Sequence, residues 1–337
     1  VNTRVINVSD APPTWNWLAE RFKYEPLTWH ACSSYVSSGK AMRLKRPTSR
    51  FKAAVSARLL LRNNRGRSII VSHGPLSALY SEVIARPSDA LHLVFSFNFT
   101  NLPTGVRRVL FRRYLKRADR FVVASSMERK LYSEYFDIDI EKIDLLPWSI
   151  RPPVDELSKP ARFGSGRYIC AIGSQARDYQ TLIESMRRLP SIPLVLVATA
   201  DSLPRRAVPE NVHVMTHVPL ADAMNVLAHS QFMVLPLRGA SVPCGHVTIV
   251  SALHMGKAIV ATDSSGLKDY LVDGKNALLV PPEDAIALSE GIEHLYNDPT
   301  LCKELGEEGK AFASAHCMED NAVAYFRQFL SRNGIQV

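Results

Sequence analysis

The sequence is poor in cysteine and lacks any segment built to cross a membrane. Its five cysteines, Cys32, Cys170, Cys244, Cys302 and Cys317, lie far apart, form no C-x-x-C pair and are odd in number. A disulfide framework and a zinc cluster are therefore not expected, no metal ligands are assigned, and a reducing compartment fits best. No apolar run approaches the ~20 residues that a membrane span needs. The opening VNTRVINVSD reads as a strand rather than a signal peptide, so a cytoplasmic protein is expected. Neither G-x-x-x-x-G-K-[ST] nor G-x-G-x-x-G occurs, which removes the P-loop and the usual dinucleotide fingerprint. Helix-turn-helix, RRM, KH and zinc-finger signatures are missing as well, so no nucleic-acid partner is expected. What remains is ordinary: 46% apolar and 22% charged residues, with 16 Gly and 21 Pro in 337. That composition excludes disordered, collagenous and low-complexity chains, and the length suits two domains with a core each.

Acid is scarce in the first half. Residues 1–150 carry 24 Lys and Arg against 12 Asp and Glu, a net of +12, whereas residues 151–337 carry 17 against 20, a net of −3. Lys40–Arg67 holds ten basic residues and no acid, and Arg107–Arg120 (RRVLFRRYLKRADR) holds seven with one acid. In the latter, Val106, Val109, Leu110 and Tyr114 recur at helical spacing, which predicts a basic amphipathic helix. A core-facing helix with a solvated basic back explains either stretch alone. Two such stretches in one half point instead to a polyanionic partner, and an anionic membrane surface is preferred to nucleic acid. Peripheral contact at the inner face of the membrane is expected.

The second half alternates cleanly. Apolar runs suited to buried strands fall at 168–172, 194–198, 212–215, 232–237, 258–262 and 277–280, and helical patterns at 178–188, 220–229, 247–255 and 284–296. The first half gives strand candidates at 4–8, 68–71, 91–97 and 121–124. Strands alternating with helices imply parallel sheets covered on both faces. Pro147–Pro160 holds four prolines without helical period and reads as a linker. The expected fold is α/β, two doubly wound Rossmann-like domains facing a central cleft. An N-terminal domain would occupy 1–150 and a C-terminal one 151–320, with a helix in 321–337 that packs back on the first.

Chemistry concentrates in Phe232–Asp269. A buried strand ends at Leu237, a small glycine-containing loop follows, and a helix starts near Val247. Such a loop aims backbone N–H groups and a helix dipole at one point, which suits a phosphate. Gly245 permits close backbone approach, His246 and Val247 lie at the helix start, and Thr248 adds a hydroxyl in the first turn. An ordinary strand–loop–helix connection would look much the same. In the first half His73, in VSHGP, closes a strand before a helix and is the best titratable group there.

The stretch Gly245–Gly274 (GHVTIVSALHMGKAIVATDSSGLKDYLVDG), its continuation NALLVPPEDAIALSEGIEHLYNDPTLCKELGEEGKAF and the upstream ADRFVVASSMERKLYSEYFDIDIEKIDLLPWSI resemble glycosyltransferase family 4, also called group 1, of GT-B fold. The resemblance implies a nucleotide-sugar on the C-terminal domain, an acceptor on the N-terminal one, and retention of configuration. It implies no cofactor beyond the donor co-substrate, a UDP- or GDP-sugar, and no bound metal. By position it assigns Gly173 and Arg177 to the donor diphosphate, with Ser174 where the family has its Arg. It assigns Ser251 to the ribose in place of a Glu, and puts Pro243 where the family's other Glu stands. His217 and Val218 fall at a strand end that contacts the base, and Asn98 replaces a His facing the sugar, so His73 and Asn98 are the acceptor-side candidates for catalysis. The function implied is transfer of a hexosyl unit to a glycan or lipid-linked acceptor in cell-surface polysaccharide or glycolipid synthesis. The missing Glu residues leave a second class open, a catalytically weak nucleotide-sugar-binding partner subunit. A basic nucleic-acid-binding protein and a sugar-nucleotide epimerase of related two-domain fold also stay open on the sequence.

Overall fold

A computed structural model describes residues 3–36, 42–62, 66–87, 89–152, 167–204 and 207–337, with side chains from residue 47 onward in the second of these segments. Most of the Pro147–Pro160 linker and part of the Lys40–Arg67 basic stretch lie outside the described residues. The chain divides into two compact units, Val1–Leu146 with Ala322–Val337, and Pro147–Asn321.

In the first unit the strands are β1 (Thr3–Ser9), β2 (Leu27–Ser33), β3 (Ser68–His73), β4 (Leu91–Phe95), β5 (Arg120–Val123) and β6 (Ile143–Leu145). They form one parallel sheet in the order β2-β1-β3-β4-β5-β6. The helices are α1 (Trp17–Arg21), α2 (Met42–Arg62), α3 (Pro75–Tyr80), α4 (Gly105–Leu115) and α5 (Ser126–Phe136), and a π-helical turn covers Ser81–Ala85. Side chains alternate across each strand, so the sheet has two apolar faces. Val5, Ile69, Val71, Leu93, Phe95 and Val122 point to one face, which α1 covers together with Phe326, Phe329 and Leu330 from the end of the chain. Ile6, Val8 and Ile70 meet Ala53, Ala57 and Leu61 of α2 on the other face. Val94, Phe121 and Val123 continue that face under Phe111 and Leu115 of α4 and Tyr132 and Phe136 of α5. β4 stops at Phe95 rather than running to Phe97 because Ser96 takes a left-handed backbone, φ 56°.

The second unit repeats the plan. Its strands are β7 (Ile169–Ile172), β8 (Leu194–Val197), β9 (Val212–Met215), β10 (Met233–Leu235), β11 (Ile259–Thr262) and β12 (Leu278–Val280), all parallel in the order β12-β11-β10-β7-β8-β9. The helices are α6 (Tyr179–Arg188), α7 (Leu220–His229), α8 (His246–His254), α9 (Ala285–Asn297), α10 (Pro299–His316) and α11 (Glu319–Arg332), the last of which carries the chain into the first unit. β7, β8, β10 and β11 are wholly buried and read as unbroken apolar runs, as parallel strands covered on both faces must. α7 and α8 pack on one face with Val226, Leu227, Ile249 and Leu253, and α6 and α9 on the other with Leu182, Met186, Leu288 and Ile292. The central strands β7 and β10 therefore deliver their carboxyl ends side by side, where ligands of such sheets bind.

Candidate active site in the second unit

Three segments meet at those strand ends. The first follows β7. Gly173 has φ 113°, a conformation that side chains rarely adopt. A methyl group there would sit 2.7 Å from Nη2 of Arg177, so the missing Cβ makes room for the guanidinium. Arg177 is 4% exposed. Its Nε and Nη2 donate to the carbonyl of Ile172 at 3.4 and 3.3 Å, Nη1 donates to that of Gln175 at 3.0 Å, and Nη2 also donates to Thr248 Oγ1 at 3.2 Å. The second segment, after β10, holds it from behind. Arg238 Nε donates to the Arg177 carbonyl at 3.0 Å, and a bridge joins Arg177 to Leu237.

The third segment is the head of α8. Its N-cap is Gly245, φ 106°, and no side chain caps the helix. The uncapped N–H groups and the positive end of the helix dipole therefore lie in the same turn as Thr248, against the guanidinium. Asp178, the nearest acid in sequence, does not pair with Arg177. It caps α6, accepting from Thr181 N at 3.1 Å and Thr181 Oγ1 at 2.6 Å. Among the described residues no carboxylate lies within ion-pair distance of Arg177. Burial pulls its basicity below the ordinary value, with Tyr179 and Cys244 acting in the opposite sense, yet a guanidinium stays charged. A buried cation beside a bare helix N-terminus, with no counter-charge, is a candidate anion site.

The loop between β10 and α8 is pinned to the loop after β11. Ser265 N donates to the Ala240 carbonyl at 2.8 Å and Val242 N to Ser264 Oγ at 3.2 Å. Gly266 approaches so closely that a Cβ there would lie 2.4 Å from the Val242 carbonyl oxygen. His246 turns inward; its Nε2 donates to the Gly266 carbonyl at 2.9 Å and its ring lies on Tyr270, centroids 5.0 Å apart. The His246 side chain is therefore engaged away from the candidate anion site, whereas Val247 is exposed. Ser251 sits mid-helix, buried, and its Oγ donates to the Val247 carbonyl at 2.9 Å. His217 is exposed with φ 57° just beyond β9, and Val218 beside it packs on the core. Sequence reasoning missed Arg238, Ser264, Ser265 and Gly266, which hold the site's backbone rather than carrying its charge.

The first unit places its two candidates at separate points. His73 ends β3, fully inside an aromatic cage, edge-on to Trp15 at 4.7 Å and 5.6 Å from Phe95. Neither ring nitrogen has a hydrogen-bond partner, and burial pushes the imidazole down to about 3, so it is neutral. Asn98 Nδ2 donates to Glu128 Oε1. Glu128 is itself buried at the start of α5: its N–H donates to the N-cap Ser125 Oγ at 3.3 Å, and its Oε2 accepts from Ser125 Oγ at 2.9 Å and Ala124 N at 3.1 Å. A further set, Ser72 Oγ to His92 Nε2 at 2.8 Å and His92 Nδ1 to Glu82 at 2.6 Å, resembles a hydrolytic triad, but all three residues are 0–1% exposed and no substrate can reach them.

The segment that builds the candidate site, residues 166–298, matches the family model described as Glycosyl transferases group 1. The chain has the GT-B fold, and this segment resembles the group 1 glycosyltransferases. Its sheets and helices superpose on sucrose-phosphate synthase of Thermosynechococcus elongatus with a TM-score of 0.74, at 16% identity over 98% of both chains. HepE of Anabaena, solved with UDP and glucose, gives 0.72 at 14% identity over 98% of this chain and 99% of HepE. Among curated relatives, the lipopolysaccharide core biosynthesis glycosyltransferase LpsE of Rhizobium meliloti is 29% identical over 164 residues, 44% of this chain and 43% of LpsE. The chain spans less than half the length of the curated relatives it matches.

Proposed function

We propose that the chain is a glycosyltransferase that moves a hexosyl unit from a nucleoside-diphosphate sugar, a UDP- or GDP-sugar, to a glycan or lipid-linked acceptor, with retention of configuration, in cell-surface polysaccharide or glycolipid synthesis. The observation that carries it is the buried Arg177 guanidinium, without a counter-ion, beside the uncapped head of α8. In glycosyl transfer the leaving nucleoside diphosphate gathers negative charge as the glycosidic bond breaks. Donors and a cation fixed in advance stabilise that charge without reorganising. Arg177, Thr248 and the backbone of Gly173 and Gly245–Val247 would hold the diphosphate. Ser251 and the His217–Val218 strand end would border the nucleoside, and His73 and Asn98 the acceptor side. HepE, whose structure contains UDP and glucose, supports a UDP-sugar as the first donor to try.

A second reading, a nucleotide-sugar-binding partner with little turnover, is favoured by Ser251, whose hydroxyl is already engaged inside its own helix. A thermal-shift panel of UDP-, GDP-, ADP- and CMP-sugars, followed by turnover of the stabilising donor with membrane lipid extract, tests both. Ligand stabilisation tracks saturation, so the right donor stands out. Stabilisation with turnover supports the transferase, stabilisation without turnover supports the partner, and no stabilisation by any donor rejects both.

A further inference from the structure

Sequence spacing groups Val106, Val109, Leu110 and Tyr114 as the apolar stripe of α4. In the structure the core contacts of that helix are Phe111 and Leu115, 2% and 0% exposed. Val106, Val109 and Leu110 are turned outward, 76%, 63% and 40% exposed. On a helix, positions 106, 109, 110 and 113 fall on one side, so the three aliphatic side chains share the outer face with Arg113. Arg107 lies beside them on the flank. The helix contains no acid. Of its cations, Arg112 and Lys116 share Asp137, and Arg108 lies 4.1 Å over the Tyr135 ring. Arg117 reaches Glu82 at 3.5 Å. Among the described residues, Arg107 and Arg113 have no carboxylate within ion-pair distance. Leu76 of α3 and Val83 of the π-helical turn are also exposed, 39% and 48%, in the layer of helices that includes α4.

We propose that the outer face of α4 docks on an anionic lipid bilayer, with Val106, Val109 and Leu110 entering the headgroup layer and Arg107 and Arg113 pairing with lipid phosphates. A polyphosphate such as nucleic acid would take the arginines and leave the aliphatic side chains in water. A bilayer interface takes both, because apolar groups a few ångströms deep and cations at the phosphate level are favourable together. The inference stands on unit one alone and goes beyond the donor reading.

Its test is sedimentation of the full chain with vesicles of phosphatidylcholine alone or mixed with phosphatidylglycerol, across a salt series. The wild type is expected to bind the mixed vesicles and not the neutral ones, and to be released as salt screens the charge. Replacing Val106, Val109 and Leu110 together by Ser keeps every charge and is expected to weaken binding about tenfold or more. Reversing Arg107→Glu and Arg113→Glu together is expected to weaken it about a hundredfold or more. Because these side chains are exposed, the donor thermal shift of both variants should match the wild type, so a failure here is separable from failure of the donor reading. A Val109→Cys chain labelled with an environment-sensitive fluorophore reports entry directly, by a blue shift on mixed vesicles. Equal binding to neutral and anionic vesicles, an unaffected serine variant, an unshifted fluorophore, or displacement from vesicles by a single-stranded RNA would each overturn the proposal.

Discussion

Arg177 makes a prediction in which stability and binding part company. Take Arg177→Met, which keeps much of the side-chain length and removes the charge. In the unliganded protein the substitution removes a desolvated guanidinium, whose burial costs several kcal/mol, and also four hydrogen bonds to three acceptors, Ile172 O, Gln175 O and Thr248 Oγ1. Bonds from a charged donor are worth about 1.5–3 kcal/mol each, and the abandoned carbonyls cost about 1–3 kcal/mol apiece where water cannot reach them. The two terms act in opposite senses and cancel in part, so the melting temperature of the unliganded protein should fall by less than the lost bonds alone would give. The donor complex has no such cancellation. Loss of one charge-assisted contact to the diphosphate should cost about 1.5–3 kcal/mol, a weakening of roughly 10- to 150-fold. Arg177→Lys keeps the charge but loses the fork that grips Ile172 and Thr248 together, and should fall between. The assay is calorimetric titration of the stabilising nucleotide-sugar and of its free nucleoside diphosphate, alongside thermal melts without ligand. Donor affinity within twofold of wild type in the Met variant refutes the anion-site argument. So does a loss of affinity that merely follows a large loss of stability, since Arg177 would then be a brace for the loop and nothing more.

Three further outcomes are expected. Gly266→Ala puts a methyl group against the Val242 backbone, which cannot swing aside as a flexible side chain could. It should lower stability by about 1–3 kcal/mol and weaken donor binding by displacing the loop before α8, checked by melts and titration. His73 is neutral in the folded chain, down to about 3, and near 6.5 when unfolded, so the unfolded state takes up the proton first as pH falls. Stability from this group is full above about pH 6.5 and drains toward pH 3. Between pH 7 and 5 the wild type should lose about 2 kcal/mol more than His73→Leu in urea titrations, and parallel losses would show that His73 does not carry the effect. Ser251→Ala should change donor affinity by no more than about 1.5 kcal/mol, because the hydroxyl is already bonded within its helix. Ser251→Glu should lower turnover by burying a carboxylate there, and a more active Glu variant would mark the serine as a lapsed ribose contact.

Much of the second unit was legible because its central strands are buried on both faces and so appear as short apolar runs flanked by helical periods. The run 212–215 and the helix 220–229 coincide with β9 and α7, and the others differ by one to three residues at their ends. The strands that escaped, β2 and β6, lie at the sheet edges. β2 is mostly half-buried, with polar residues among the apolar ones, and β6 has only three residues. α2 escaped because Pro47 and its run of cations mask the period. In α4 the helix was legible and its orientation was not. The aliphatic residues form the obvious stripe, but the aromatic Phe111 and the last-turn Leu115 take the core. At the anion site the glycines, the helix start and Arg177 stood out as a local pattern. The serine clasp from Ser264 and Ser265 to Ala240 and Val242 did not, because it joins loops about 20 residues apart through one hydroxyl and otherwise backbone groups, which leave little mark on side-chain chemistry.

The return of the chain to its first unit bears on the order in which the protein can be made. One face of the first sheet rests on Phe326, Phe329 and Leu330, which leave the ribosome 180 or more residues after β6. At about 5–20 residues per second, that face, with Val5, Val71, Leu93 and Phe95, would wait on the order of 10–40 s covered only by α1, while the whole second unit emerges and can fold. The first unit to be synthesised is thus the last to be finished. Cutting the chain just before α11 should leave the second unit intact and turn the first into a substrate for chaperones or proteases.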